Sequence, residues 1–423
     1  MSFLPPIDIA VTGMGVIAPV GVGKGPFGDA LKAGQSNFKA LALEQGGQRF
    51  QYPAGLVDGF NFREAISRLS ISPELAAKCQ RMRNLSKSAS FGLFCALEAW
   101  ADAGLEEASP DMERVAIVSA GSNTQQAGLL AIQEKYREKL QFMPPTYGLN
   151  FFDTDLVGAI SEILGVRGEG HSLGAASASG NMAIIQGCRL IQSGEYGLVL
   201  VVAPLMDLSI FEYQGFTSLG AMAELRAGDL PDAICRPFDE AHRGFVHGQS
   251  AGCLILESAE HAARRGQESC GHIIGYGVNM DANRNPNPSA AGERKAMAAA
   301  MASAGLSPED IQYVNTHGTA SPTGDQIEAE ALLMAGLKGV KANSTKSLTG
   351  HGLSAAGLVE CIATLIQMQE GFLHPNLNLQ HPINDQINWI GPQAQKAEIT
   401  YALSNSFAFG GLNTSIIINA IKQ

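Results

Sequence analysis

Runs of apolar residues bounded by glycine, proline and polar turn residues mark the buried strands of this chain. Six such runs are IAVTGMGVIAP, RVAIVSAGS, YGLVLVVAPLM, AGCLILES, IQYVNTHGT and TSIIINAI. Between them, SKSASFGLFCALEAWADAG, ASGNMAIIQGCRLIQSGEY and GERKAMAAAMASAG carry small and apolar residues at helical spacing. Strands that are apolar along their whole length have both faces covered. The alternation therefore predicts a layered α/β fold with mainly parallel strands.

The same order of elements occurs twice along the chain. RVAIVSAGS, a strand followed by a turn and a helix, has a counterpart in IQYVNTHGT followed by GDQIEAEALLMAG. The charged stretch SAEHAARRGQES at residues 258–269 is the predicted seam between the copies. We expect a first half at residues 1–258 and a second at 259–423.

Composition and charge limit the kinds of function that this chain can have. The 423 residues carry a formal net charge of −11, whereas nucleic-acid binding needs a basic footprint. The start, MSFLPPIDIAVTGMG, has neither a basic region nor a long apolar run, so we expect no targeting signal and no membrane association. Seven cysteines lie scattered without CxxC pairs, which favours reduced thiols in a cytoplasmic protein over disulfides or a metal site.

The stretch HSLGAASASGN at residues 171–181 is typical of a strand-to-helix turn that presents one side chain at a helix N-terminus. Partial positive charge gathers there, so a thiol in that place would be an activated nucleophile. The residue that the turn presents is Ser177, a hydroxyl. No GxSxG sequence surrounds it, so we do not expect a hydrolase-type triad.

Three further segments place reactive side chains in turns after predicted strands, the end of the strand at which α/β folds bind their ligands. These side chains are His317, Thr319, Ser321, Asp325 and Glu328 in VNTHGTASPTGDQIEAE, Lys346, His351 and Glu360 in NSTKSLTGHGLSAAGLVE, and Phe407 and Phe409 in SNSFAFGGLNTS.

These segments, together with VTGMGVIAPVG and CRPFDEAHRGFVHGQSAG, resemble the β-ketoacyl-acyl carrier protein synthase family of the thiolase superfamily from about residue 7 to residue 420. The resemblance implies a thiolase-like fold of two similar α/β halves in five layers (αβαβα), a homodimer, and an active site where the halves face each other. It also implies that no cofactor is bound, because the phosphopantetheine arm arrives on the acyl carrier protein.

The resemblance assigns roles to single positions. The family's nucleophile is a cysteine, and Ser177 aligns with it. The two catalytic histidines fall on His317 and His351, the catalytic lysine falls on Lys346, and the acid that supports this loop falls on Glu360.

The same alignment identifies the gate and the binding site for the arm. The gating phenylalanines fall on Phe407 and Phe409, and Thr319 and Ser321 correspond to two threonines beside the phosphopantetheine arm. Besides Ser177, four positions differ from the family's usual residues: Gln249, Ser250, Ser354 and Ala408.

Serine at the nucleophile position changes the predicted chemistry. A helix terminus is worth at most about 2 kcal/mol, too little to make a useful alkoxide from a hydroxyl. Decarboxylation of a malonyl thioester instead needs donors for the enolate oxygen, which His317 and His351 supply. The pattern resembles synthase-like decarboxylases of the β-branching cassettes of bacterial polyketide pathways, so we expect conversion of malonyl- to acetyl-acyl carrier protein.

Two alternatives stay open from the residues alone. In the first alternative, a general base takes the proton of Ser177, the serine attacks the acyl thioester, and the chain is a condensing synthase. The chain is a non-catalytic partner in the second, like the chain-length-factor subunits, although these tend to lack the histidine pair.

A basic cluster is the predicted docking site for an acidic carrier protein. KCQRMRNLSK supplies Lys78, Arg81, Arg83 and Lys87 just before a predicted helix. The family docks its carrier protein near this position.

Overall fold

The computed structural model describes residues 7–420. Its strands are β1 Ile9–Ala18, β2 Gly21–Val22, β3 Phe38–Gln45, β4 Gln48–Gly55, β5 Val115–Ala120, β6 Gly170–Leu173, β7 Leu198–Ala203, β8 His247–Gly248, β9 Ala251–Ser258, β10 Gly271–Met280, β11 Tyr313–Asn315, β12 Lys341–Asn343, β13 Phe372–Leu373, β14 Asn388–Trp389, β15 Gln395–Lys396, β16 Tyr401–Ala408 and β17 Leu412–Asn419.

The helices alternate with these strands along the chain. They are α1 Lys24–Ala33, α2 Phe62–Ile66, α3 Pro73–Arg81, α4 Lys87–Asp102, α5 Leu105–Ala108, α6 Gln126–Tyr136, α7 Thr146–Asn150, α8 Asp155–Leu164, α9 Ser179–Gln192, α10 Ile210–Ser218, α11 Ala259–Arg264, α12 Ala290–Ala304, α13 Pro322–Met334, α14 Lys346–Thr349 and α15 Ala356–Glu370. Within residues 7–420, no helix has both the length and the apolar character needed to cross a lipid bilayer.

Two five-stranded sheets of identical topology form the framework. The first runs β6-β5-β7-β9-β1 and the second β12-β11-β16-β17-β10, with β14 added at the edge of the second. In both sheets the first three strands are mutually parallel and the last two are antiparallel to their neighbours. A short antiparallel pairing of β1 with β10 joins the two sheets. The repeated order of elements is thus a repeated fold.

Alternate residues of each sheet enter different cores, as side chains of a strand point to opposite faces in turn. Leu198, Leu200 and Val202 of β7 pack with the outer helices α4 and α8, whereas Val199 and Val201 pack with α9 and α15. A third core lies between the second sheet and α12 and α13. Helices and sheets therefore alternate in five layers, which confirms the expected thiolase-like α/β fold.

The central helices α9 and α15 meet at their N-terminal ends, where the backbones come very close. A Cβ added at Gly180 would lie 2.5 Å from the backbone nitrogen of Leu358, so only glycine fits there. Each helix is preceded by a short 3-10 turn, Ala176–Ala178 and Leu353–Ala355, and the two turns contact each other. This contact brings together two loops separated by more than 170 residues of chain.

The six predicted strands and three predicted helices are present, but the expectation of mainly parallel strands is wrong. β16 and β17 are joined by a tight turn through Gly410 and Gly411, and so short a connection requires antiparallel strands. The apolar runs indicated burial but not direction. The boundary predicted after residue 258 falls between the end of β9 and the start of α11.

Candidate active site

Ser177 lies in the 3-10 turn between β6 and α9, with its side chain facing a cavity. The preceding residue, Ala176, has φ of +45°, a left-handed conformation that is strained for a residue with a Cβ. The turn places Ser177 just ahead of the N-terminus of α9. The structure thus confirms the strand-turn-helix geometry that the sequence predicted.

The imidazole of His351 contacts Ser177 directly. Its Nε2 lies 2.9 Å from the Ser177 Oγ. On the other side of the ring, Nδ1 accepts the backbone N–H of Leu353 at 3.3 Å. A neutral imidazole whose Nδ1 accepts carries its proton on Nε2. His351 is therefore a donor toward Ser177 and the cavity.

His317 is fixed in the same tautomer by a different group. The Nζ of Lys346 lies 3.5 Å from the His317 Nδ1 and donates to the His317 carbonyl oxygen at 2.6 Å. An ammonium has no lone pair to offer, so Nδ1 faces it as an acceptor and the ring proton resides on Nε2. The two imidazole rings stand nearly perpendicular, with centroids 5.5 Å apart.

Both histidines are held in the neutral form. Burial lowers the pKa of His317 well below its usual range, and the nearby charge of Lys346 and the second imidazole add to the effect. Burial and Lys346 likewise depress the pKa of His351. Two neutral N–H donors directed into one buried cavity form a site that binds developing negative charge.

Lys346 is paired with Glu360 in the interior of the protein. Both side chains are almost completely buried, and the ammonium donates to Oε1 of the carboxylate. Burial raises the pKa of Glu360, and the lysine charge opposes that shift. Neither side chain lines the cavity. Lys346 thus contacts His317 from outside the cavity wall, at Nδ1 and at the carbonyl oxygen.

Two acids of α13 hold the His317 loop, and the sequence motif placed them on this helix without indicating a role. Glu328 accepts the backbone N–H groups of His317 at 2.8 Å and Gly318 at 2.7 Å. Asp325 accepts those of Thr319 and of the residue after it. Burial raises the pKa of Glu328 to about 7. The two acids stand one helical turn apart on the helix that follows the histidine, and this spacing is the signal that could have identified them.

One cavity of about 430 Å³ brings most of the predicted site residues together. Its wall includes Ser177, both histidines, Thr319, Ser321, Phe407 and Phe409. Phe407 is buried with its ring centroid 5.9 Å from that of His317, whereas Phe409 is 43% exposed. The hydroxyls of Thr319 and Ser321 lie 2.8 Å apart on the same wall. The site therefore joins two phenylalanines, two neutral donors and a polar wall.

Two family models cover this architecture. The model described as Beta-ketoacyl synthase, N-terminal domain matches residues 7–262, and the one described as Beta-ketoacyl synthase, C-terminal domain matches residues 270–380. The chain belongs to the β-ketoacyl synthase family. The family resemblance drawn from the motifs is thereby confirmed, and the chain is a ketosynthase-family enzyme.

Individual relatives align with this ketosynthase over nearly its whole length. The polyketide biosynthesis malonyl-ACP decarboxylase PksF of Bacillus subtilis (strain 168) is 39% identical over 416 residues, 98% of this chain and 97% of the relative. The 3-oxoacyl-(acyl-carrier-protein) synthase 2 of Vibrio cholerae is 32% identical over 425 residues, 97% of this chain and 98% of the relative. A solved type II polyketide ketosynthase in complex with its acyl-carrier protein and bound to the hexaketide superposes with a TM-score of 0.85 at 24% identity, over 98% of this chain and 100% of that chain.

The basic cluster predicted to dock a carrier protein lies on the surface of this ketosynthase. Lys78, Arg81, Arg83 and Lys87 are all exposed at the end of α3, the start of α4 and the segment between them. The Nζ of Lys87 lies 3.7 Å from a carboxylate oxygen of Asp207. Asp207 follows Met206, which lines the cavity. The Lys87 end of the cluster therefore lies close to a chain segment that lines the active-site cavity.

Three of the positions that depart from the family's usual residues have different surroundings. The Gln249 side chain accepts the backbone N–H of Val57 at 3.0 Å, and Ser250 donates to a carbonyl two residues away at 3.3 Å. Ser354 is buried in the 3-10 turn that follows His351, lines the cavity, and its Oγ has no hydrogen-bond partner. It adds a hydroxyl to the wall of the site.

Proposed function

We propose that this ketosynthase decarboxylates malonyl-acyl carrier protein to acetyl-acyl carrier protein, and that it supplies a β-branching step in polyketide biosynthesis. The observation that carries the proposal is the pair of neutral histidines, each with its proton on Nε2, around a serine in the nucleophile position. The likeness to a polyketide malonyl-ACP decarboxylase over 98% of the chain supports the same activity.

The reaction breaks the bond between the malonyl α-carbon and its carboxylate. Carbon dioxide leaves, and the electron pair moves through the α-carbon to the thioester carbonyl oxygen. His317 and His351 donate to that oxygen from Nε2, so the enolate forms where two donors already point. Losing one donor of this kind typically costs about 3–4 kcal/mol of transition-state stabilisation. Because the rings are neutral, they donate hydrogen bonds to the enolate oxygen without transferring a proton to it.

Ser177 does not attack in this mechanism. A serine nucleophile requires a base that takes its proton, and the Nε2 of His351 already carries one. The helix N-terminus adds at most about 2 kcal/mol toward an alkoxide. Ser177 instead accepts from His351 and holds the ring in position until a substrate oxygen replaces the hydroxyl.

An acyl carrier protein delivers the substrate, and its phosphopantetheine arm takes the place of a bound cofactor. Thr319 and Ser321 would contact the arm along the polar wall of the cavity. The exposed basic cluster at residues 78–87 would receive the acidic carrier, and the enzyme would act as a homodimer in the cytoplasm. Phe407 and Phe409 would exclude water from the departing carboxylate.

The test is to incubate the protein with malonyl-acyl carrier protein and to determine the intact mass of the carrier. Conversion to the mass of acetyl carrier protein, with no acyl acceptor present, is the expected result. An unchanged malonyl mass would overturn the proposal. A β-ketoacyl product on the carrier, formed when an acyl carrier protein is added, would assign the chain to the condensing alternative.

A further inference from the structure

Glu293 is a buried carboxyl in the active-site cavity with no assigned role. It lies in the first turn of α12 and is 1% exposed. Its Oε2 has no hydrogen-bond partner, although a buried polar atom is costly to leave unpaired. The same side chain lines the cavity that contains Ser177, His317 and His351. An unpartnered carboxyl at this place is available to a substrate or to water in the cavity.

Three other carboxyl groups lie near Glu293. Burial raises the pKa of Glu293 well above its usual range, and three negative charges add to the effect. They belong to Glu328 and Asp325 on α13 and to Asp281, the residue after β10. The Asp281 Oδ1 accepts from the Asn413 side chain at 2.7 Å, whereas its Oδ2 is buried without a partner. Glu293 is thus held as a neutral carboxylic acid with a proton to give.

A decarboxylase needs such a proton. After carbon dioxide has left, the enolate becomes an acetyl group only when its α-carbon receives a proton. The two histidines are poorly placed to supply it. Their Nε2 protons hold the enolate oxygen, and because their pKa values are lowered, neither ring carries a second proton that it could give. A histidine that gave its proton would also lose its stabilising hydrogen bond. Another group, or water in the cavity, must therefore supply the proton.

We propose that Glu293 is the proton donor of the decarboxylation, acting through water in the cavity on the α-carbon of the enolate. This inference rests on the proposed function. The Glu293 O–H bond breaks, a C–H bond forms at the α-carbon, and the carboxyl becomes a carboxylate. One proton from solvent then restores the acid, so that each turnover consumes one proton and releases one carbon dioxide.

The surroundings of Glu293 favour the return of its proton. Once ionised, Glu293 lies beside three other acids, and this like charge favours rapid recovery of a proton. Exposed residues Asn285, Pro286 and Asn287 line the same cavity, and they provide its contact with solvent.

The experiment compares Glu293→Gln, Glu293→Ala and the control Glu330→Gln with the wild type, by following acetyl carrier protein across a pH series. Glu330 is an exposed acid on the neighbouring helix α13. We expect Glu293→Gln to lower kcat about 100-fold, the lower range for loss of a general acid, with KM nearly unchanged. Since the donor must be protonated, wild-type kcat falls as the pH rises through the pKa of Glu293, and both variants lose that decline.

The outcomes separate this inference from the proposed function. A wild-type enzyme that forms no acetyl carrier protein overturns both. A wild type that is active, with a Glu293→Gln variant of equal kcat and identical pH profile, overturns the role of Glu293 alone. The thermal unfolding of Glu293→Gln beside Glu330→Gln shows whether the glutamine variant folds. If it does not fold, Glu293→Ala, which removes the buried polar group altogether, carries the same expectation.

Discussion

The Ser177 hydroxyl lies 2.9 Å from Nε2 of His351, on the nitrogen that carries the ring proton, because Nδ1 accepts the backbone N–H of Leu353. The polarity of this contact is opposite to that of a serine hydrolase, in which the histidine accepts from the serine. A donor at this place serves the oxygen of a thioester enolate, whereas it cannot activate a hydroxyl. The choice between decarboxylation and condensation thus depends on one proton position.

Removing either histidine should remove most of the activity. His317→Ala and His351→Ala each take one of two donors from the enolate oxygen, and we expect decarboxylation to slow about 100- to 1000-fold in each. His171→Ala is the matched control, since this histidine of β6 pairs with Glu169 and does not line the cavity. Rates of acetyl carrier protein formation give the measurement. A variant within threefold of wild type would contradict the assigned donor role.

Lys346 should matter for activity beyond its part in stability. Lys346→Met leaves the Glu360 carboxylate buried without a partner, which we expect to cost about 3–5 kcal/mol of unfolding free energy. In Lys346→Met/Glu360→Gln no charge is left unpaired, so chemical denaturation should show stability largely recovered. Decarboxylation should stay low, because the His317 Nδ1 no longer faces an ammonium. A double variant with the wild-type rate would assign the lysine a structural role only.

Ser177→Cys should create a reactive thiol. The helix N-terminus and the Nε2–H of His351 would both stabilise a thiolate at this place. Six of the seven native cysteines are buried, and the seventh is partly buried. Burial raises the pKa of several of them, including Cys79 to about 11. Brief treatment with iodoacetamide should therefore alkylate one position in the variant and leave the wild type nearly unmodified; equal labelling of the two proteins would count against the geometry.

Charge reversal on the basic cluster should weaken carrier recognition alone. Lys78→Glu and Arg83→Glu are exposed changes that leave the cavity intact, so we expect a severalfold higher KM for malonyl carrier protein with kcat unchanged. The difference should shrink at high salt, since charges on the surface are screened. Lys338→Glu, an exposed change after α13, is the control. Equal KM values for all three variants would place the docking site elsewhere.

Much of the fold and site could be predicted from the sequence because the information is local. β5 and β7 are buried throughout and mostly apolar, and His317 lies two residues after a short buried strand. β10 was missed because its residues alternate between buried and half-buried, so GHIIGYGVNM lacks a continuous apolar run.

Glu293 could not be predicted in the same way. It begins the run Glu293-Arg294-Lys295 at the start of α12, which is typical of a solvated first turn. Only packing against the second sheet and α13 buries the glutamate, while Lys295 stays exposed. Likewise, the tautomer of His351 depends on Leu353, whose N–H reaches the ring only through the left-handed turn at that residue. Tertiary contacts of this kind leave no mark on the local pattern.

The most direct test of the account is the intact-mass assay on Ser177→Ala with malonyl-acyl carrier protein. Both histidines remain in this variant, and no step uses the serine oxygen as a nucleophile. We therefore expect it to form acetyl carrier protein within about tenfold of the wild-type rate, whereas an enzyme that loses its nucleophile slows far more than this. Protein mass spectrometry of the wild type during turnover should show no acyl adduct. An adduct on Ser177, together with loss of activity in Ser177→Ala, would contradict the account.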